Sequence, residues 1–424
     1  MRGFFLFSVS LGLLAAQPAA PPGGGLSDRV TISEAIREAL DRNLGLLAER
    51  YSVSIAEARI ITARLRPNPV LTLGVDYIDM LGTGFNVRNA AGPTEANART
   101  DFVLERGGKR ERRIEVAENA REVAQLQLLN STRTLVMDIE SAFVDVLLAR
   151  DSLALARENL KNFSEIVNVN ANRVRAGDLA KIELVRSQVA QLQFQTAVRQ
   201  AESRLRIALN RLQRFMGRVI FSPNFDVEGG LRRETVPVNV EEFQNKAIQL
   251  RPDLEALRRD QARSTADLRL QMAQGKVDYT LSAQYHSQFD NAKGNSMGFF
   301  ISAPLPVFNR NQGEIERARR EQQQIQARIR ALEHDIRTEV QNAYQQFVTA
   351  RDLLENIEHN MLSQAREVRE TIEYSYRRGE ATFIDLLEAQ RAFNDATQSY
   401  NEARAEYARS LYLIDSISGK AVNP

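Results

Sequence analysis

Over residues 110–173 the apolar positions recur in steps of seven on two interleaved series. One is Leu135, Ala142, Ala149, Ala156 and Phe163, the other Ile139, Val146, Leu153, Leu160 and Val167. A strict heptad keeps one narrow stripe facing a neighbour and imposes a left-handed supercoil. The flanking positions are Arg, Glu, Asp, Asn and Gln, so the remaining faces should meet water. At ~1.5 Å per residue this arm reaches roughly 90 Å, which no single globular domain needs. A return arm runs from about 179 to 215 through Ile182, Val185, Val189, Leu192, Ala201, Leu205, Ala208 and Leu212. Between the arms stands Arg175-Ala176-Gly177-Asp178. Glycine suits a left-handed helix end, and Asp suits the N-cap of the next helix.

The pattern then repeats. Leu135, Ile139, Ala142, Val146, Ala149, Leu153, Ala156 and Leu160 match Ile336, Val340, Ala343, Phe347, Ala350, Leu354, Ile357 and Met361 at a constant offset of 201. Beyond one inserted residue, Arg175, Gly177, Gln188, Ala201 and Gly217 match Arg377, Gly379, Gln390, Ala403 and Gly419 at 202. Upstream, 31–46 resembles 238–254. A sustained offset that also aligns two glycines marks a duplication and not a chance match of heptads. The second tip reads Arg377-Arg378-Gly379-Glu380-Ala381-Thr382. Residues 217–240, with Pro223, Gly229, Gly230 and Pro237, have no helical period and read as an ordered connector.

Ahead of each long arm the period changes to two. Leu71, Leu73, Val75 and Tyr77 alternate with Thr72, Gly74 and Asp76. After a Gly/Asn/Pro-rich loop, Thr100, Phe102 and Leu104 oppose Arg99 and Asp101, with Val103 breaking the rule. In the second half Val277, Tyr279, Leu281, Ala283 and Tyr285 oppose Asp278, Thr280, Ser282 and Gln284. Residues 296–305 continue the pattern, with Phe300 out of place. Each run is about the ~9–11 residues of a tilted transmembrane strand, and one apolar face with one polar face fits a barrel wall around a wet lumen. Two soluble hairpins with one buried face would give the same alternation.

Composition narrows the choice. Among 424 residues the formal charge is +2, with 26% charged residues. Charge is therefore balanced, and no basic face calls for a nucleic-acid partner. There is no cysteine, which excludes a disulfide, a thiolate metal site and an N-terminal lipid-modified cysteine. Arg2 followed by an apolar run from Phe4 to Ala16 reads as a signal peptide within 1–20, the run being too short to span a bilayer. The three histidines, His286, His334 and His359, show no metal spacing. No catalytic Ser/His/Asp set and no phosphate loop is present, so an enzyme is not expected, and neither is a cofactor.

Strand count then implies assembly. Four strands cannot close a barrel, open edges are not tolerated in lipid, and known membrane barrels need about eight strands or more. Two copies supply eight and three supply twelve, and a pore wide enough for solutes favours three. The expected organisation is a signal peptide (1–20), short helices (28–66), a first strand pair (68–107), a first long helical hairpin (109–217), a connecting segment (218–240), short helices (241–275), a second strand pair (276–307) and a second long hairpin (310–419). The fold class is mainly α with a transmembrane β part. A homotrimer would set a 12-stranded barrel on an α-helical barrel.

Residues Arg66-Pro-Asn-Pro-Val70, Arg251-Pro-Asp-Leu254, and Tyr376-Arg-Arg-Gly379 followed by 383–391 (FIDLLEAQR) give the chain its family likeness. It resembles the TolC-type outer-membrane efflux factors over almost its whole mature length. Glu105-Arg-Gly-Gly-Lys-Arg110 with Arg113 is similar to the cobalt–zinc–cadmium heavy-metal branch. The same stretch also reads as a glycine turn followed by a solvated or headgroup-facing basic cluster. The resemblance implies an outer-membrane exit duct with a periplasmic extension. It implies a periplasmic membrane-fusion adaptor and an inner-membrane pump of the resistance-nodulation-division type as partners. It places a channel constriction at Asp385 and Glu388, one helical face that a trimer would turn into stacked carboxylate rings favouring cations. It also makes the helix tips, Arg175, Gly177, Asp178, Arg377, Arg378, Gly379 and Glu380, candidate adaptor contacts. A solvated acidic pair remains the plain alternative for Asp385 and Glu388. At the second tip Glu380 and Ala381 depart from the best-known member, which puts that member's gate salt bridges in doubt. A soluble periplasmic coiled-coil scaffold or adaptor, and a type I protein-secretion duct of the same family, are the competing readings of the whole chain.

Overall fold

The computed structural model describes residues 28–78, 80, 94–234, 239–288 and 294–417. The signal-peptide reading, the tip of the loop after the first strand, Pro237 and Gly419 lie outside them. The elements in chain order are β1 (Arg29–Val30), α1 (Ile32–Arg42), α2 (Leu44–Arg64), β2 (Val70–Asp76), β3 (Glu95–Leu104), α3 (Lys109–Ala176), α4 (Lys181–Phe215), β4 (Asp226–Val227), α5 (Val240–Leu250), α6 (Pro252–Gln274), β5 (Tyr279–Gln288), β6 (Gly294–Ser302), α7 (Gln312–Asn356), a π-turn (Ile357–Met361), α8 (Leu362–Arg378) and α9 (Phe383–Ile417). The chain is mainly helical. No helix among the described residues is long and apolar enough to cross a membrane.

Local chemistry sets the boundaries. Thr31 and Glu34 form a capping box that starts α1. Asn43 ends α1 and caps α2 through the Leu46 N–H, while its amide donates to the Phe215 carbonyl at 2.8 Å. Pro252 opens α6 at its first turn, where a missing N–H costs nothing. The strand pattern of the second half is shifted from its expected place. β5 begins at Tyr279 and not Val277, because Asp278 turns its carboxylate to the start of α3. β6 stops at Ser302 because Pro304 and Pro306 cannot donate to a ladder.

Strands β2, β3, β5 and β6 form one antiparallel sheet in that order. Its register places Leu71, Thr100, Ala283 and Phe299 in one row, and Asp101, Ser282 and Phe300 in a row of the opposite face. The apolar face is bare: Leu73 is 71% exposed and Phe299 78%. The outer edges of β2 and β6 pair with no other described strand.

Helix α3, about 100 Å long by its 68 residues, is the spine. It buries more than the narrow seam expected from its heptads. Val136, Phe143, Val144, Leu147 and Ile166 are buried beside Leu135, Ile139, Ala142, Val146, Leu153, Phe163 and Val167, because α2, α4, α6 and α9 all pack on it. Helix α4 shows the reverse. Its small Ser187 and Ala190 sit against the protomer, while Ile182, Val185, Val189 and Leu192, read from sequence as the seam, stay uncovered.

The connector binds the two repeats. β4 pairs in parallel with β1, the Arg218 guanidinium takes Glu38 through two hydrogen bonds of 2.8 Å, Arg232 pairs with Asp415 at 2.5 Å, and Arg233 reaches Glu358 at 2.5 Å.

The π-turn explains the shift of repeat offset. The Leu362 N–H bonds the Ile357 carbonyl five residues back, where an α-helix would use four, so one extra residue is taken up without a break. The changeover lies earlier than the apolar pattern indicates. Leu362 is half-buried and Met361 exposed, so Leu362 and not Met361 occupies the position of Leu160.

Candidate functional site

Both hairpin tips end in the same hydrogen-bond pattern. The Gly177 and Asp178 N–H groups donate to the Val174 and Arg173 carbonyls. Gly379 and Glu380 donate to Tyr376 and Ser375, each partner displaced by 202 residues. This is the Schellman closure, which demands positive φ at the glycine; φ is +86° at Gly177 and +84° at Gly379. The duplication thus extends to individual bonds. Asp178 is not the N-cap of α4, as its position promised. Its N–H is used in closing α3, and α4 starts two residues later from Ala180 without a side-chain cap.

All seven tip residues, Arg175, Gly177, Asp178, Arg377, Arg378, Gly379 and Glu380, are exposed. Arg175 bonds Asn172, Arg377 pairs with Glu373 at 2.6 Å, and Arg378 lies over the Tyr374 ring at 4.4 Å. The two tips are held side by side by a core of Phe163, Ile166, Val167, Ala190, Tyr376, Phe383 and Leu386. Inside it the Tyr376 hydroxyl donates to Asn170 Oδ1 at 2.7 Å, and Gln390 donates to Asn159 at 3.1 Å.

Asp385 and Glu388 both lie on the exposed face of α9. Asp385 has a second task. Its carboxylate accepts from the Thr382 N–H (2.9 Å) and hydroxyl (2.7 Å), while Thr382 Oγ1 accepts from the Asp385 N–H at 3.2 Å. These bonds to Thr382 hold the carboxyl below the usual carboxylate range, so it stays ionised. The Thr382-x-x-Asp385 spacing is a capping signature visible in the sequence.

The Glu105–Arg113 stretch is a junction and not a solvated cluster. Lys109 is buried, and its ammonium reaches Asp278 at 2.7 Å and the Lys276 carbonyl at 2.8 Å. Asp278 also accepts from the Arg106 N–H at 2.8 Å, and the Arg106 guanidinium donates to the Tyr279 hydroxyl at 2.6 Å. Arg113 grips Glu105 with two bonds, one of 2.9 Å, and Arg110 donates to the Arg64 carbonyl at 2.7 Å. Gly107 has a φ of +77°, which disfavours any side chain, and a Cβ there would come 2.7 Å from the Lys276 side chain and push it aside. The motif therefore sews β3 and α3 of the first repeat to α6 and β5 of the second. Among the described residues no group of three or more His, Asp and Glu side chains is placed to hold a metal ion. His286 stands 3.7 Å from Glu95 on the polar face of the sheet.

Sequence reading missed Glu140. Its carboxyl sits beside Asp415 and Arg232 where α3 meets α9, with Tyr412 close by, and Oε2 has no hydrogen-bond partner. Burial, and then the Asp415 charge, push it up from 4.5 to about 7, against the pull of Arg232. An acid raised in the folded state binds its proton more tightly there than in the unfolded chain. The stability it confers is complete below about pH 4.5 and declines as pH climbs to 7. Glu140→Gln should flatten that slope and gain at most roughly 3 kcal/mol at pH 8 with little change at pH 4. Melting curves of both proteins across pH check this, and parallel profiles would assign the slope elsewhere.

A helical body built of two long hairpins, with a small four-stranded sheet bare on one face, is the architecture of a membrane-anchored duct. The chain belongs to the outer membrane efflux protein family, whose model matches residues 35–218 and 244–420. That family exports solutes across the outer membrane and is not one of enzymes. The chain is 24% identical over 393 residues to the cobalt-zinc-cadmium resistance protein CzcC of Cupriavidus metallidurans, covering 92% of this chain and 90% of that one. It is 24% identical over 408 residues to nodulation protein T of Rhizobium leguminosarum bv. trifolii, covering 92% and 85%. Its fold matches the Campylobacter jejuni CmeC outer membrane channel with a TM-score of 0.78 at 13% identity, covering 92% of this chain and 86% of that one.

Proposed function

We propose that three copies of this chain form an exit duct, a 12-stranded β-barrel in the outer membrane standing on a periplasmic α-helical barrel. The observation that carries this is the pair of free edges at β2 and β6. The four strands alternate in direction, so β6 of one copy can pair antiparallel with β2 of the next, and closure removes every open edge. The uncovered stripe of Ile182, Val185, Val189 and Leu192 offers a helical seam to a neighbouring copy. The exposed Leu73, Met297, Phe299 and Ile301 then face lipid, and the polar face lines the lumen. A signal peptide within residues 1–20 delivers the chain.

Solutes enter at the tips. Asp385 and Glu388 ring the narrow end with carboxylates, of which Asp385 is kept ionised by Thr382. The exposed tip residues, from Arg175 to Asp178 and Arg377 to Glu380, meet the membrane-fusion adaptor, which hands on solute from an inner-membrane pump of the resistance-nodulation-division type. Heavy-metal cations are the favoured cargo, supported by the carboxylates and by the likeness to a cobalt-zinc-cadmium resistance protein. The likeness to a nodulation protein keeps non-metal cargo as the second reading. Light scattering of the detergent-extracted protein should give three copies, and fractionation should place it in the outer membrane. A monomer or dimer, or a protein soluble without detergent, overturns the duct in favour of a periplasmic scaffold.

A further inference from the structure

The polar face of the sheet carries one large aromatic side chain, Phe300, where a wet wall has no use for it. Its backbone register places it beside Ser282, which stands beside Asp101. The ring leans over Gly298, where an added Cβ would lie 3.0 Å from it. Arg99 is poised above the ring at 5.8 Å from its centre. The same guanidinium donates to Asp101 at 2.7 Å and to the Ser282 hydroxyl at 3.0 Å, and Ser282 in turn donates to Asp101. Ser282 is 3% exposed, covered by this cluster, while Phe300 itself remains 46% exposed. A cation held by a carboxylate and a hydroxyl has little freedom to swing away, and its contact with the ring face favours one ring position. The aromatic is thus held on the polar side of the sheet.

We propose that Phe300, positioned by Arg99, Asp101 and Ser282, is a pore-narrowing residue: three copies form an aromatic collar inside the barrel that limits the size of solute leaving the duct. The inference rests on the trimeric barrel proposed above. It adds a constriction near the membrane, separate from the carboxylates at the helix tips. A collar of aromatic faces and neutralised ion pairs selects by girth more than by charge. Gly298 leaves free the space beside the ring that a side chain would fill, so the cluster specifies where the ring stands.

The absence of cysteine makes a clean test possible. Phe300→Cys and Phe299→Cys each introduce a single thiol on opposite faces of β6. Channels in planar bilayers are treated with a charged, water-soluble methanethiosulfonate. Current through Phe300→Cys channels should fall severalfold on modification, and Phe299→Cys channels should not respond. Polymers of graded size, added only on the outer side, should enter Phe300→Cys and Phe300→Ser channels at sizes that wild type excludes. Adding the polymer from outside probes the barrel without passing the tips. Equal reaction at 299 and 300 would sink the barrel reading itself. Reaction at 300 with no change of current, or an unchanged polymer cut-off, would sink the collar and leave the barrel standing.

Discussion

Replacing Lys109 by methionine is expected to destabilise the junction between sheet and helices by roughly 3 kcal/mol, since it strands the partly buried Asp278 carboxylate without its cation. Asp278 would keep one donor, the Arg106 N–H, and its partial exposure, 27%, holds the cost to the lower end of the range for broken buried pairs. Asp278→Asn should cost a similar amount, because it leaves the ammonium buried while preserving an acceptor for Arg106. The double variant should be no worse than either single one. A double-mutant cycle on the heat-unfolding of the detergent-solubilised protein measures the coupling; additive losses would show that the two charges are not partners. The same geometry predicts that substitutions in Glu105–Arg113 change stability before they change cargo. A stretch that resembles a metal-efflux signature is here accounted for by a turn, a buried ion pair and two arginine clamps.

How far the sequence could be read follows from which forces are periodic. Heptads and alternation announced the long arms and the four strands, because each repeats a burial decision every few residues. The duplication announced itself through the two tip glycines, since only a left-handed helix end requires them. What escaped was everything that depends on the chain meeting itself at long range. Lys109 looked solvated because its partner lies in the other repeat. Glu140 is one acid among many in the sequence, and only the approach of α9 makes it special. Asp178 and Asp385 are instructive together. Both are acids that follow a tip glycine, Asp178 directly and Asp385 six residues on, yet only Asp385 has a threonine three residues before it, and only Asp385 takes part in a helix cap. The apolar residues of α4 were legible as a seam, but their partner is not in the protomer.

Replacing Tyr376 by alanine should uncouple the tips while leaving the upper helices intact. Its hydroxyl holds Asn170 and its ring fills the cluster of Phe163, Phe383 and Leu386. Losing a buried aromatic of this kind costs about 3–5 kcal/mol, more than the tip can offset with exposed contacts. Helix α7 is held by its own core, including Phe347, Ala350 and Leu354 against Ala403, Tyr407 and Leu411, so the loss is confined to the lower hairpin. Amides in 362–386 should therefore exchange far faster with solvent, while those in 312–350 keep their protection. Deleting His359 should do neither. The π-turn holds one residue more than an α-helix needs over the same rise, and His359 lies within it. Without that residue the turn can close as ordinary α-helix, as the matching stretch of α3 does, and α8 keeps its phase and Tyr376 its place. Protection lost at the tip of the deletion variant would mean that the π-turn does more than absorb the extra residue. Arg233→Ala, which frees Glu358 of the π-turn from the connector, should quicken exchange at the turn without moving the tip.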